Sequence, residues 1–86
     1  MGKTYKLRSE CSVRELGEEG LLYDAHNKKV HVLNETGSII LSMIQNGKSI
    51  EDIASHLSEK YNVDIEEIKE DITSFIKQFE EIDIFC

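Results

Sequence analysis

The sequence predicts an α+β domain of winged helix-turn-helix-like outline, with a three-stranded antiparallel sheet followed by three helices. Three observations carry this expectation. Up to Leu33 the apolar residues recur in short strand-like runs, joined by turns too short for parallel crossovers. From Thr36 onward the apolar spacing changes to three and four residues, the helical period. Between the two regimes stands Val30-His31-Val32-Leu33-Asn34-Glu35-Thr36-Gly37, where a β-branched run meets helix-capping residues with no linker.

Each element follows in order. Residues 1–10 have weak periodicity and three basic residues, and are expected as a flexible N-terminus ahead of a single domain over residues 11–86. Ser12 to Leu16 reads as a first strand, Gly17-Glu18-Glu19-Gly20 as a turn, and Leu21 to Tyr23 as a second strand. Asp24 to Lys28 is a loop of turn formers, and Lys29 to Leu33 is the third strand. Asn34 and Thr36 both suit the start of a first helix, whose apolar face is Ile39, Ile40, Met43 and Ile44 and whose stop is Asn46-Gly47. Ser49 caps a second helix, with Asp52 in the capping-box position and Ile50, Ile53, Ala54 and Leu57 on its buried face. Asn62 closes it. Asp64 caps a third helix, with Glu67 expected to complete a second box. Its stripe of Ile65, Ile68, Ile72, Phe75, Ile76, Phe79 and Ile82 is too long for a small sheet and two short helices to cover entirely.

Composition narrows the function. Eighty-six residues give one modest core and little room for a deep cavity. No apolar run is long enough to span a bilayer, and the N-terminus lacks the apolar centre of a secretion signal, so a cytoplasmic protein is expected. Cys11 and Cys86, the only cysteines, form neither a zinc knuckle nor a redox pair, and reduced thiols are expected. The formal charge of −7 disfavours phosphate backbones and anionic lipid. Between Asp64 and Asp83 eight carboxylates face two lysines, and the second helix sets Glu51, Asp52 and Glu59 against Lys60. A DNA-recognition helix needs the opposite balance.

Catalytic patterns do not emerge. His26, His31 and His56 have no metal-ligand spacing, so no metal and no cofactor are expected. Ser38, Ser42, Ser49, Ser55, Ser58 and Ser74 sit in helices or caps without a nucleophile elbow, and the glycines form no phosphate loop. A binding module is expected rather than an enzyme. An open strand edge beside helices is the best candidate surface, because it presents unpaired backbone groups.

Four segments resemble, in order and spacing, the PqqD-like family. They are Val13 to Asp24, the Val32-Leu33-Asn34-Glu35-Thr36-Gly37 junction, Gly47-Lys48-Ser49-Ile50-Glu51-Asp52-Ile53-Ala54, and Asp71-Ile72-Thr73-Ser74-Phe75-Ile76. The resemblance runs from about Val13 to Phe85, and departs at the end, where Glu81 to Cys86 replaces the family's frequent Gly-hydrophobic pair. It implies a peptide-recognition element that binds the leader of a ribosomally made precursor peptide by strand addition. It also implies a modifying enzyme as second partner: a radical-SAM protein, a leader protease or a cyclase. The implied peptide-binding positions are Lys29, Val30, His31, Val32 and Leu33 on the strand, with Lys69, Ile72, Thr73 and Ile76 on the third helix. A monomer or weak dimer is expected, with neither nucleic acid nor membrane as partner. The rival reading is a winged-helix transcription or protein-interaction module, and a third is a detached piece of a larger modifying enzyme.

Overall fold

The computed structural model describes residues 4–86, and its elements follow the predicted order. Strands β1 (Cys11–Leu16), β2 (Glu19–Asp24) and β3 (Lys29–Leu33) form an antiparallel sheet in the order β1-β2-β3. Helices α1 (Glu35–Gln45), α2 (Ile50–Tyr61) and α3 (Ile65–Glu80) follow. The first turn is tighter than the sequence indicates. Leu16 pairs with Glu19, so only Gly17 and Glu18 connect β1 to β2. Gly17 carries the positive φ of 67° that a two-residue hairpin loop demands. Gly20 serves packing instead: it sits in β2, and a Cβ there would lie 2.2 Å from Ser38 Oγ in α1.

Local capping explains where the helices begin. Asn34 caps α1 by accepting from Gly37 N–H at 2.7 Å. Ser49 and Asp52 form the expected reciprocal box at α2, which closes on Asn62 in the left-handed region. At α3 the cap differs from expectation: the Asp64 carboxylate accepts from Glu66 N–H at 2.9 Å, and Glu67 completes no box. The stripe also ends sooner. α3 stops at Glu80, and Ile82 lies in the turn that follows.

The core lies between the inner sheet face and the helices. Leu22 and Leu33 meet Ile40, Leu41, Ile44, Ile53, Leu57, Ile72 and Ile76. Leu41 is fully buried although it lies outside the apolar face expected for α1, because the sheet and the other helices enclose the short helix on more than one side.

The two ends of the chain close the core together, which the sequence pattern does not reveal. Residues 1–3 of the expected flexible segment lie outside the described residues; residues 4–10 are packed. Arg8 N–H donates to Ile84 O and Cys86 N–H to Lys6 O, both at 2.8 Å, with an isolated bridge between Leu7 and Phe85. The Arg8 guanidinium reaches the Asp83 carboxylate at 2.8 Å. Leu7, Ile84 and Phe85 are buried. Main-chain pairing of this kind needs no periodic side-chain pattern, so residues 4–10 read as unstructured in sequence. Among the described residues no helix is long and apolar enough to cross a membrane.

Two outcomes follow from this packing. Leu7→Ala lowers the unfolding free energy by roughly 2–4 kcal/mol in urea titration, as for other buried leucines. The thiols differ: burial, and secondarily the Asp24 charge, pushes Cys11 up to about 11, whereas Cys86 is exposed. A chromogenic disulfide reagent at pH 8 therefore titrates one thiol rapidly in native protein and the second only on unfolding.

Candidate peptide-binding edge

A three-stranded sheet has two outer edges, and the fold treats them differently. At β1 the side chain of Gln45, the last residue of α1, satisfies the middle of the edge at Val13. Its Oε1 accepts from Val13 N–H at 2.8 Å and its Nε2 donates to Val13 O at 3.3 Å. The two-residue loop sets the polarity of the whole sheet: Leu16 and Glu19 flank it as a bonded pair, and alternation leaves Val13 opposite Leu22 as a non-bonded one. Val13 directs its backbone groups away from β2, so the alternation of an antiparallel ladder makes Leu22–His31 a bonded pair between β2 and β3. Val30 and Val32 then direct their N–H and C=O groups outward, and no backbone or side-chain partner meets them among the described residues.

Side-chain direction along β3 follows the two-residue period. Val30 and Val32 stand on the outer sheet face, 56% and 73% exposed, while Leu33 is buried in the core. His31 points toward α3 and meets Phe79 edge-on, with ring centroids 6.5 Å apart. Phe79 stacks in turn on Phe75 at 4.7 Å. Both phenylalanines are half-buried, and Phe75 lies against Gly37, where a Cβ would be 3.0 Å from its ring.

Two hollows continue this aromatic floor along the edge. One of about 460 Å³ lies past the end of β3, between Asn34, Tyr61, Glu67, Asp71, Ile72 and Phe75. The other, about 320 Å³, lies at the start of β3, between Asn27, Lys29, His31, Glu81 and Ile82. Carboxylates rim both. The Tyr61 hydroxyl donates to Glu35 beside the first, and that bond raises the phenol's pKa. At the second, two hydrogen bonds from Asn27, the side-chain one foremost at 2.8 Å, hold the Asp24 carboxyl below its usual range.

The predicted site residues divide on this geometry. Lys29, Val30, His31 and Val32 lie along the β3 edge, and Leu33 is buried in the core. Ile72 is fully buried and forms part of the floor of the larger hollow. Ile76 is a core residue at 1% exposure, because the other helices cover the centre of the stripe. Lys69 and Thr73 belong to another flank. Lys69 Nζ pairs with Glu51 of α2 at 3.0 Å, the main cause of its raised pKa, and Thr73 Oγ1 donates to Lys69 O. Thr73 lies about 120–160° around the helix from Phe75 and Phe79 at 100° per residue. Phe75 and Phe79 beside β3, and Gln45 at β1, are positions that the sequence reading did not single out for these contacts. The stripe contains both phenylalanines but does not say which of its margins faces β3. Among the described residues no group of three His, Cys, Asp or Glu is placed to hold a metal ion.

Comparison with known proteins agrees with this architecture. The family model described as Coenzyme PQQ synthesis protein D (PqqD) matches residues 19–84. No curated protein matches the chain. Two solved structures superpose closely. The structure of TbiB1 in complex with the TbiA(beta) leader peptide has a TM-score of 0.84 at 21% identity, covering 93% of each chain. Lasso peptide synthetase B1 complexed with the leader peptide has a TM-score of 0.81 at 26% identity, covering 95% of this chain and 96% of that one.

The Asp24 cluster yields a pH prediction. A carboxyl held below its ordinary pKa contributes stability above that ordinary value and loses it as pH falls through the folded-state pKa. Asp24→Asn therefore lowers the urea midpoint at pH 7, and the gap from the unsubstituted chain closes in the acid range below about pH 4. A gap that persisted unchanged at pH 2.5 would assign the effect to packing alone.

Proposed function

The chain belongs to the PqqD family, and from that premise we propose that it binds the leader segment of a ribosomally synthesised precursor peptide and presents it to a maturation enzyme. The observation that carries this reading is the open β3 edge beside the Phe75–Phe79 floor. An added strand exchanges main-chain hydrogen bonds with Val30 and Val32, which gives affinity with little demand on sequence. Leader residues opposite Lys29, His31 and Leu33 point toward α3, so alternate side chains supply selectivity. The acidic α3 margin favours leaders with Lys or Arg beside their apolar anchors.

Binding rather than catalysis is the role the site supports, since its chemistry consists of backbone groups, aromatic rings and apolar hollows. The complexes reported for the two structural relatives, each with a leader peptide, support the same reading. A radical-SAM protein, leader protease or cyclase then acts on the captured precursor, in the cytoplasm. A DNA-binding reading finds no support in α2 or α3, where acidic residues outnumber basic ones.

The test is titration of ¹⁵N-labelled protein with synthetic peptides spanning the leader of a candidate precursor. Amide shifts are expected at Val30, Val32, Phe75 and Phe79, with a dissociation constant of about 1 μM, or about −8 kcal/mol. Shifts confined to the α1–α2 surface would refute strand addition. Val32→Pro removes an outward N–H that no sheet partner uses, so the variant folds and loses tenfold or more in affinity. Lys69→Ala and Thr73→Ala leave affinity within about twofold, because both residues lie off the edge.

A further inference from the structure

We propose that the hollow past the end of β3 is a specificity pocket for one long basic side chain of the guest peptide, arginine foremost, and that Glu67 and Asp71 select it. The inference rests on the strand-addition reading above. The hollow, of about 460 Å³, has a buried apolar floor that includes Leu57, Ile68 and Ile72. Phe75 joins it to the furrow along β3, since the same ring stacks on Phe79, which meets His31. Asn34, the residue directly after β3, also lines it, so a strand paired along β3 reaches its mouth.

The charge at the mouth is one-sided. Glu67 and Asp71 stand one turn apart on α3, both exposed, and neither has a hydrogen-bond or ion-pair partner among the described residues. Like charges at that spacing repel. Glu67 stays out of the α3 cap, and the third carboxylate nearby, Glu35, is engaged by the Tyr61 hydroxyl. Among the described residues no Lys or Arg lines the hollow. Lys69 is turned to Glu51 at 3.0 Å, and Lys60, 5.7 Å from the Tyr61 ring centroid, lines a different hollow.

A guest residue opposite Leu33, or the next inward one beyond it, sends its side chain toward α3. An arginine there lays its methylene stem on the apolar floor while its guanidinium reaches the rim. The planar fork offers donors to two carboxylates whose Cβ atoms are about 5–6 Å apart, and its face packs on the Phe75 ring. Lysine, a point charge, gains less. A wholly apolar side chain takes water from both carboxylates and supplies no partner in return. A metal ion is a poorer occupant still, because no group of three possible ligands is placed around one among the described residues.

A phage-displayed library of random dodecapeptides, panned on the full chain, on the Glu67→Gln, Asp71→Asn double variant and on Val32→Pro, tests the assignment. Peptides enriched on the unsubstituted chain carry Arg, and less often Lys, at one fixed distance from alternating apolar residues. The double variant binds synthetic copies of those peptides about fivefold more weakly. Replacing the peptide's Arg with Gln costs as much on the unsubstituted chain and nothing further on the double variant, a coupling that a purely structural role of the carboxylates does not produce. The coupling shrinks as NaCl rises from about 50 mM to about 500 mM, because the rim is exposed. Peptides that require an intact Val32 but show no basic preference, and bind the double variant equally well, overturn the pocket assignment and leave strand addition standing. Enrichment no greater than on Val32→Pro overturns strand addition, and the pocket assignment with it.

Discussion

The backbone groups at the edge of a strand need partners, and this domain supplies them at the middle of the β1 edge but not at Val30 and Val32 of β3. The carboxamide of Gln45 closes the β1 edge at Val13 with a donor and an acceptor. Because ladder hydrogen bonds alternate, the two-residue loop that leaves Val13 outward for Gln45 also determines that Val30 and Val32, not His31, face outward at the opposite edge. Everything at the site depends on this parity. It directs His31 toward Phe79, puts the two valines on the outer face, and leaves two pairs of main-chain groups available to a guest strand. A one-residue slip in either pairing would exchange all of these roles.

The rest of the fold holds that edge in place. β3 passes into α1 through Asn34, which caps the helix, while Leu33 is locked in the core. Phe75 packs against Gly37 at the start of α1, so the margin of α3 is positioned by the helix that continues from β3. At the other end, Arg8, Asp83 and the Leu7–Phe85 bridge tie the segment following α3 to the chain's beginning. A domain of this size has little core to spare, and these terminal contacts add to it. The furrow is thus bounded by elements anchored independently of any ligand, which lowers the ordering cost of binding.

Much of the fold is legible in sequence because its signals are local. Period, capping residues and turn formers specify β3, α1 and α2 within a few residues, and Ser49 with Asp52 forms the expected box. The less legible parts depend on non-local or main-chain interactions. Glu19 and Gly20 look like turn residues, yet they pair in β2 because a two-residue loop suffices at Gly17. Residues 4–10 have no apolar period, and their docking depends on backbone bonds to a segment more than seventy positions away.

The sequence by itself determined the class of the domain, the order of its elements and the acidic character of its third helix. Those properties reside in residue types and their period. Only the tertiary structure decided which edge stays open, since that rests on where Gln45 lands across the sheet. It also decided which margin of α3 faces the edge. A helical stripe has two flanks of equal standing in sequence, and packing assigned Phe75 and Phe79 to the furrow while turning Lys69 toward Glu51. The physical reason is that helix period specifies a buried direction, whereas the identity of the neighbour on each side is set by the crossing of whole elements.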